Sequence, residues 1–136
     1  MKVKFLVMFL VLCFCATSVF GSKAYETETV FDGTVIAAGT SENSNYKRIG
    51  EFDGPMAVQV TVTGTGTITL DYLLSADNIS YINPATAPDI ATGLTAGSYY
   101  ISFEPGFAAF IKIRATETGA ANPATVTVTF IAQREY

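Results

Sequence analysis

The stretch MAVQVTVTGTGTITLDYLL, residues 56–74, contains the pattern that decides the fold. Apolar side chains occupy every even position from 56 to 62, and again from 68 to 74, with mainly polar or small residues between them. Successive side chains of a β-strand point to opposite faces of the sheet, so this alternation predicts two strands, each with one buried face. The connection Gly64-Thr65-Gly66 is short and glycine-rich, which predicts an antiparallel hairpin.

The same alternation recurs along the rest of the chain, and no window after residue 21 has a helical period. Further strands are predicted at 27–38, 46–52, 99–103, 108–116 and 125–132. Seven or eight short strands in about 115 residues predict an all-β fold, a single antiparallel β-sandwich with either a jelly-roll or an Ig-like Greek-key topology.

The connections between these strands are marked by turn residues. Asp32-Gly33 is expected to form a two-residue hairpin turn in preference to a bulge. The segments 39–45 and 83–97 are expected to be long loops. The alternation places Tyr72, Phe103 and Phe130 in the core, whereas Tyr81 and Phe107 lie near turn signals and are expected to be exposed.

The first 21 residues have the features of a secretory signal peptide. Lys2 and Lys4 precede the apolar run at 5–14, which is shorter than the ~20 residues that a membrane span needs. Small residues permit cleavage after Ser18 or after Gly21, and we favour Gly21 because polar sequence follows it. We therefore expect a signal peptide at 1–21, a β-sandwich domain at 22–136 without a membrane span, and a secreted or cell-surface location.

Composition excludes several functions for the mature chain. The sequence has no histidine, and Cys13 and Cys15 both lie in the signal segment, so the usual general base and the thiol nucleophile are missing. Without Lys2 and Lys4, twelve acidic residues face six basic ones, and the net charge changes from -4 to -6. Such a chain repels a phosphate backbone, so we expect no nucleic-acid partner. Because histidine and cysteine are missing from the mature chain, we expect no catalytic residues.

The segment 75–81, Ser-Ala-Asp-Asn-Ile-Ser-Tyr, is the candidate ligand site. Asp77 and Asn78 offer the oxygen ligands that calcium prefers, but we favour a turn in which they accept hydrogen bonds from nearby amides. Tyr81 and Phe107 are candidates for stacking on a sugar ring. No other cofactor is expected, and no other metal ligands can be assigned from the sequence.

Self-association is another candidate function. The segment 22–31 alternates in part and follows the predicted cleavage site, so it could add as a strand to a neighbouring copy's sheet. The alternative, which we favour, is an ordinary first strand in its own sheet.

Four motifs stand out between residues 61 and 133: Thr61-Val62-Thr63-Gly64-Thr65-Gly66-Thr67, Ser75-Ala76-Asp77-Asn78, Phe103-Glu104-Pro105 and Ile111-Lys112-Ile113-Arg114. Through these motifs the stretch from Gly64 to Gln133 resembles small β-sandwich surface domains of secreted proteins and virions, and it is similar to discoidin-like jelly rolls, whose ligands bind in variable end loops. The resemblance implies a sandwich fold and a non-enzymatic role.

Taken together, the sequence predicts an exported structural or adhesive surface protein that acts through loops or sheet edges, possesses no catalytic activity and could self-assemble or bind a surface partner. The alternative is a carbohydrate- or calcium-dependent binding module that uses Asp77, Asn78 and Tyr81.

Overall fold

A computed structural model describes residues 23–52, 54–86 and 88–135, so the predicted signal segment lies outside the described residues. The described residues form nine strands and no helix. The strands are β1 (Lys23–Ile36), β2 (Ser41–Asn43), β3 (Lys47–Arg48), β4 (Met56–Gly64), β5 (Ile68–Ser75), β6 (Ala91–Leu94), β7 (Gly97–Phe103), β8 (Phe110–Glu117) and β9 (Ala124–Glu135).

The strands form two antiparallel sheets that pack face to face. The first sheet has the order β1-β9-β4-β7 and the second β2-β8-β5-β6, with the two-residue β3 also paired to β8. When β3 is omitted, four strands lie in each sheet in the order of a jelly roll. The predicted antiparallel β-sandwich is therefore confirmed, and of the two predicted topologies the jelly roll is the observed one.

The core lies between the sheets and follows the predicted alternation. The even-numbered residues from 56 to 62 on β4 are buried, and Val58, Val60 and Val62 are at most 1% exposed. Phe130 and Tyr72 are buried as predicted, and Phe103 packs against both rings, 6.4 Å and 5.6 Å away between ring centroids. Burial of these apolar side chains is the main stabilising contribution to the fold.

The predicted hairpin at Gly64-Thr65-Gly66 is wrong. β4 pairs with β7 and β9, whereas β5 pairs with β6 and β8, so the connection crosses from one sheet to the other. Gly66 is needed there for close approach: a Cβ at this position would lie 2.5 Å from the carbonyl oxygen of Asn122. The glycines allow the chain to cross tightly from the first sheet to the second.

The predicted hairpin turn at Asp32-Gly33 is also wrong. β1 runs without reversal from Lys23 to Ile36 along β9, and its register shifts twice, between Thr29 and Phe31 and between Phe31 and Thr34. Gly33 has a φ of 57° and donates its backbone N–H to Thr127 Oγ1 at 3.0 Å. The dipeptide therefore lies in a β-bulge, the less favoured of the two predicted conformations.

Three other segments differ from expectation. The predicted loops at 39–45 and 83–97 contain the short strands β2 and β6, and the predicted strand at 46–52 is reduced to β3. These edge strands have no clear alternation because sheet edges are only partly buried. The N-terminal strand pairs with its own β9, in agreement with the favoured reading of the segment that includes residues 23–31.

A buried glutamate at the end of β8 holds together the loops at that end of the sandwich. Glu117 is 1% exposed, and its carboxylate accepts backbone hydrogen bonds from Gly39 at 2.9 Å, Thr67 at 3.0 Å, Gly119 at 2.7 Å and Ala120 at 2.9 Å. The first two amides contribute most to holding the pKa of Glu117 below its usual value, against the opposing effect of burial. One side chain thus joins three loops.

Candidate functional site

The predicted site residues lie in two loops at one end of the sandwich. β5 and β8 are antiparallel, and Ser75, the last residue of β5, lies opposite Phe110, the first of β8. The loop after β5 and the loop before β8 are therefore neighbours, and Ala109 donates its N–H to the Ser75 carbonyl at 3.2 Å. We call residues 76–84 and 104–109 the end-loop surface.

The first of these loops is held by a tight turn around Asp77. Its Oδ1 accepts hydrogen bonds from the backbone N–H groups of Ile79 and Ser80 and from the Ser75 hydroxyl, each at 2.9 Å. The Ser80 and Ile79 amides hold the pKa of Asp77 below its usual value because they stabilise the charged form. These contacts form the turn that was favoured over a calcium site from the sequence.

Asn78 and Tyr81 complete the turn. Asn78 has a φ of 61°, a conformation that asparagine tolerates better than most residues, and its Oδ1 accepts a hydrogen bond from the Tyr81 hydroxyl. Lys112 Nζ lies 4.2 Å from the centroid of the Tyr81 ring. Tyr81 is half-buried, less open than predicted, and partial burial is the largest cause of its raised pKa.

Several of the carboxylates that the structure describes are engaged in structural contacts. Asp71 is paired with Arg114 on the outer face of the second sheet, where Arg114 Nε lies 2.8 Å from Asp71 Oδ1. Within the described residues, no three His, Cys, Asp or Glu side chains lie close enough together to hold a metal ion. The predicted tyrosine, asparagine and aspartate side chains thus lie in one turn, and Asp77 Oδ1 is already used by that turn.

Phe107, predicted to be exposed, is the most open large apolar side chain described on the end-loop surface, with its ring fully accessible to solvent. It stands between two grooves. The first has a volume of about 370 Å³ and lies between residues 49–52, 54 and 56 on one side and the loop 104–108 on the other, lined by Phe52 and Glu104 among others. The second, of about 260 Å³, lies toward Leu74 and Pro84 and is mostly apolar.

Two further apolar side chains on this surface were not predicted. Ile79 is 83% exposed in the Asp77 turn, and Ile82 is 68% exposed although its backbone forms an antiparallel bridge with Leu74. The signal was present in the sequence, because an isoleucine between Asn78 and Ser80 falls in a segment that turn chemistry keeps at the surface. Ile79, Ile82 and Phe107 give this end of the sandwich an exposed apolar character.

The part of the chain that the structure describes contains no helix with the length and apolar character needed to cross a membrane.

Comparison with known proteins identifies the fold but no family. No protein-family model matches the chain, and no curated protein matches its sequence. Its structure is similar to that of the SPBc2 prophage-derived protein YomS, with a TM-score of 0.51 and 14% identity over 85% of this chain and 97% of YomS.

It is also similar to a chain in the structure of infectious bursal disease virus, Gx strain, with a TM-score of 0.55 and 16% identity over 85% of this chain. The match covers 33% of that longer chain. Both likenesses concern the fold alone, and one of them is to a chain in a virus structure, in partial agreement with the predicted resemblance to virion-type β-sandwiches.

Proposed function

We propose that this protein is an exported, non-enzymatic structural or adhesive surface protein that recognises its partner through the end-loop surface. The observation that carries the proposal is the exposure of three large apolar side chains, Ile79, Ile82 and Phe107, on adjacent loops at one end of a rigid sandwich. Exposed apolar side chains grouped at one end of a domain are typical of interaction sites, because exposing them to water is otherwise unfavourable.

Three further features support this role. The first 21 residues have the pattern of an export signal. The chain has no histidine, and Asp71, Asp77 and Glu117 are engaged in contacts that hold the fold together. Similarity in fold to a chain in a virus structure agrees with a structural role.

The test is binding of the fluorescently labelled chain 22–136 to intact cells of the organism that encodes it. We expect saturable binding that falls at least about tenfold in the double variant Ile79→Ser and Phe107→Ser, since hot-spot residues dominate such interfaces. Val35→Ser is the matched control: Val35 is 62% exposed on β1, toward the opposite end of the sandwich. Equal binding by the double variant and the control would refute recognition by the end loops.

The second candidate function is binding of a carbohydrate or of calcium, and the first groove favours the carbohydrate. Its volume of about 370 Å³ is within the range of small-ligand sites, and it offers the Phe107 and Phe52 rings beside the Glu104 carboxylate. A panel of simple sugars, and calcium alone, should then raise the thermal unfolding temperature of the wild type. Loss of a sugar shift in Phe107→Ser, or of a calcium shift in Asp77→Ala, would assign the ligand.

A further inference from the structure

The edges of the first sheet differ in how they are protected. β1, at one edge, carries Lys23, Glu26, Glu28 and Asp32 and is interrupted by two register shifts. Charges and bulges at an edge discourage pairing with another chain. β7, at the other edge, has the sequence GSYYISF, carries no charge and pairs with β4 in unbroken register from Gly97 to Phe103.

The β1 edge is also tied to the second sheet by ion pairs. Lys47 on β3 binds Glu26, and its Nζ lies 2.7 Å from Glu28 Oε2, so the side of the sandwich formed by β1 and β3 is bridged by charge. Since β7 has no ionisable group other than tyrosine, it makes no such bridge on the other side. Within the described residues, β7 has a strand partner on one side only.

The inward-facing side chains of β7 are incompletely covered. Tyr99, Ile101 and Phe103 are only half-buried, whereas Val58 and Val60 on the neighbouring strand are fully buried. Their outward-facing counterparts, Ser98, Tyr100 and Ser102, are exposed, and Tyr100 is 66% accessible. A strand added beside β7 would pair its free backbone groups and cover apolar surface on the core side.

We propose that β7 is an interface for a second copy of this chain, which adds its own β7 antiparallel about a twofold axis at Tyr100. In that register Ser98 of each copy lies opposite Ser102 of the other, and Tyr99 lies opposite Ile101. The pairing is self-complementary, as a twofold interface requires. It joins the two four-stranded sheets into one continuous sheet of eight strands.

Charge favours β7 over β1 as the edge at which two copies of this chain can meet. The predicted mature chain has a net charge of -6, because twelve acidic residues face six basic ones once Lys2 and Lys4 are removed, so copies repel each other in general. Approach through β1 would bring the acidic side chains of two copies together. The segment 90–103, which includes β6 and β7, has no acidic or basic residue, and β6 is only four residues long with an irregular register.

This inference rests on the proposed structural role and names a second copy of the chain as one partner. The proposed function and the β7 interface can be refuted independently of each other. Cell binding tests the end loops, whereas association of the purified chain tests β7. The experiment is sedimentation equilibrium of the chain 22–136 across a concentration series, on the wild type and two charge variants. Both variants alter the exposed positions Ser98 and Ser102. Circular dichroism is the control for whether each variant is folded.

The like-charge variant, Ser98→Lys with Ser102→Lys, places lysines opposite each other twice across the twofold axis and should weaken the dimer by about tenfold or more. The complementary variant, Ser98→Lys with Ser102→Glu, places each lysine opposite a glutamate and should dimerise at least as tightly as the wild type, with an added dependence on salt. Gln59→Lys, one strand inward on β4 opposite Tyr100, should leave the dimer unchanged.

A wild type that is monomeric at all concentrations up to about millimolar would overturn the proposal, since the Kd for dimerisation would then exceed about 1 mM, which is too weak for a stable dimer. Equal association of the like-charge and complementary variants would overturn it as well, because the pairing register then plays no part. Antiparallel β7 pairing is supported only if the like-charge variant is monomeric and the complementary variant still dimerises.

Discussion

Replacing Val60 with aspartate should unfold the domain, because Val60 lies at the centre of β4 with 0% exposure between the two sheets. Losing the buried isopropyl group forfeits about 1.5–3 kcal/mol of hydrophobic stabilisation. The carboxyl group that replaces it, even when protonated, lacks a hydrogen-bond partner at this site and costs roughly a further 2–7 kcal/mol. The sum is comparable to the ~5–15 kcal/mol by which a domain is stable.

The matched control is Thr61→Asp, one residue along on the outer face. Thr61 is half-buried, and its Oγ1 lies 3.3 Å from Ser98 Oγ, so we expect a loss of at most about 1 kcal/mol. Urea unfolding followed by circular dichroism measures both variants. Equal destabilisation by the two substitutions, or a stably folded Val60→Asp protein, would refute the assignment of the buried face.

Three other predictions concern particular contacts. Gly66→Ala should destabilise the domain by roughly 1–3 kcal/mol in urea unfolding, because its Cβ would lie 2.5 Å from a backbone oxygen, whereas Gly50→Ala, with its nearest atom at 3.7 Å, should be nearly neutral. The pKa of Glu117 in the folded state is lowered from 4.5, so the ionised carboxylate stabilises the fold above pH 4.5, and this stabilisation is lost as the pH falls through the lower folded-state pKa. Glu117→Gln should therefore destabilise the protein at about pH 7 and make Tm less dependent on pH in the acid range. An unchanged acid dependence of Tm would contradict the role of the Glu117 carboxylate in holding the three loops. Asp77→Ala should accelerate amide hydrogen exchange at Ile79 and Ser80 without affecting β4, and unchanged exchange would contradict the turn.

The central strands could be predicted because a strand with one buried face must alternate. Val58, Val60 and Val62 are apolar because they face the opposite sheet, and the residues between them face outward. The connection at Gly64 to Gly66 could not be assigned by the same reasoning. A short glycine-rich link permits both a hairpin and a crossover. The two are distinguished by the strand partners, since β4 pairs with β7 and β9 whereas β5 pairs with β6 and β8.

The buried contacts of Glu117 were not predicted, although the sequence contains a signal for its burial. Glu117 continues the parity of Ile111, Ile113 and Ala115, so the alternation of β8 places this carboxylate on the core side. A buried carboxylate requires hydrogen-bond donors, which here are backbone amides from three loops. The sequence indicates that Glu117 is buried, but it does not indicate which amides surround it, because those loops meet only in the folded chain.

The candidate site was predicted in part. Turn chemistry located Asp77, Asn78 and Tyr81, and proximity to turn residues indicated that Phe107 is exposed. That these residues lie at the same end follows from the pairing of β5 with β8, which alternation alone does not determine.

The measurement that tests the central claim most directly is the intact mass and location of the protein in the organism that encodes it. Intact-mass spectrometry of the culture medium and of a cell-surface wash, compared with the cell interior, measures both. We expect a chain that begins at Ser22 and is enriched outside the cell or on its surface. A full-length chain beginning at Met1 and confined to the interior would contradict export and, with it, the proposed role as a surface protein.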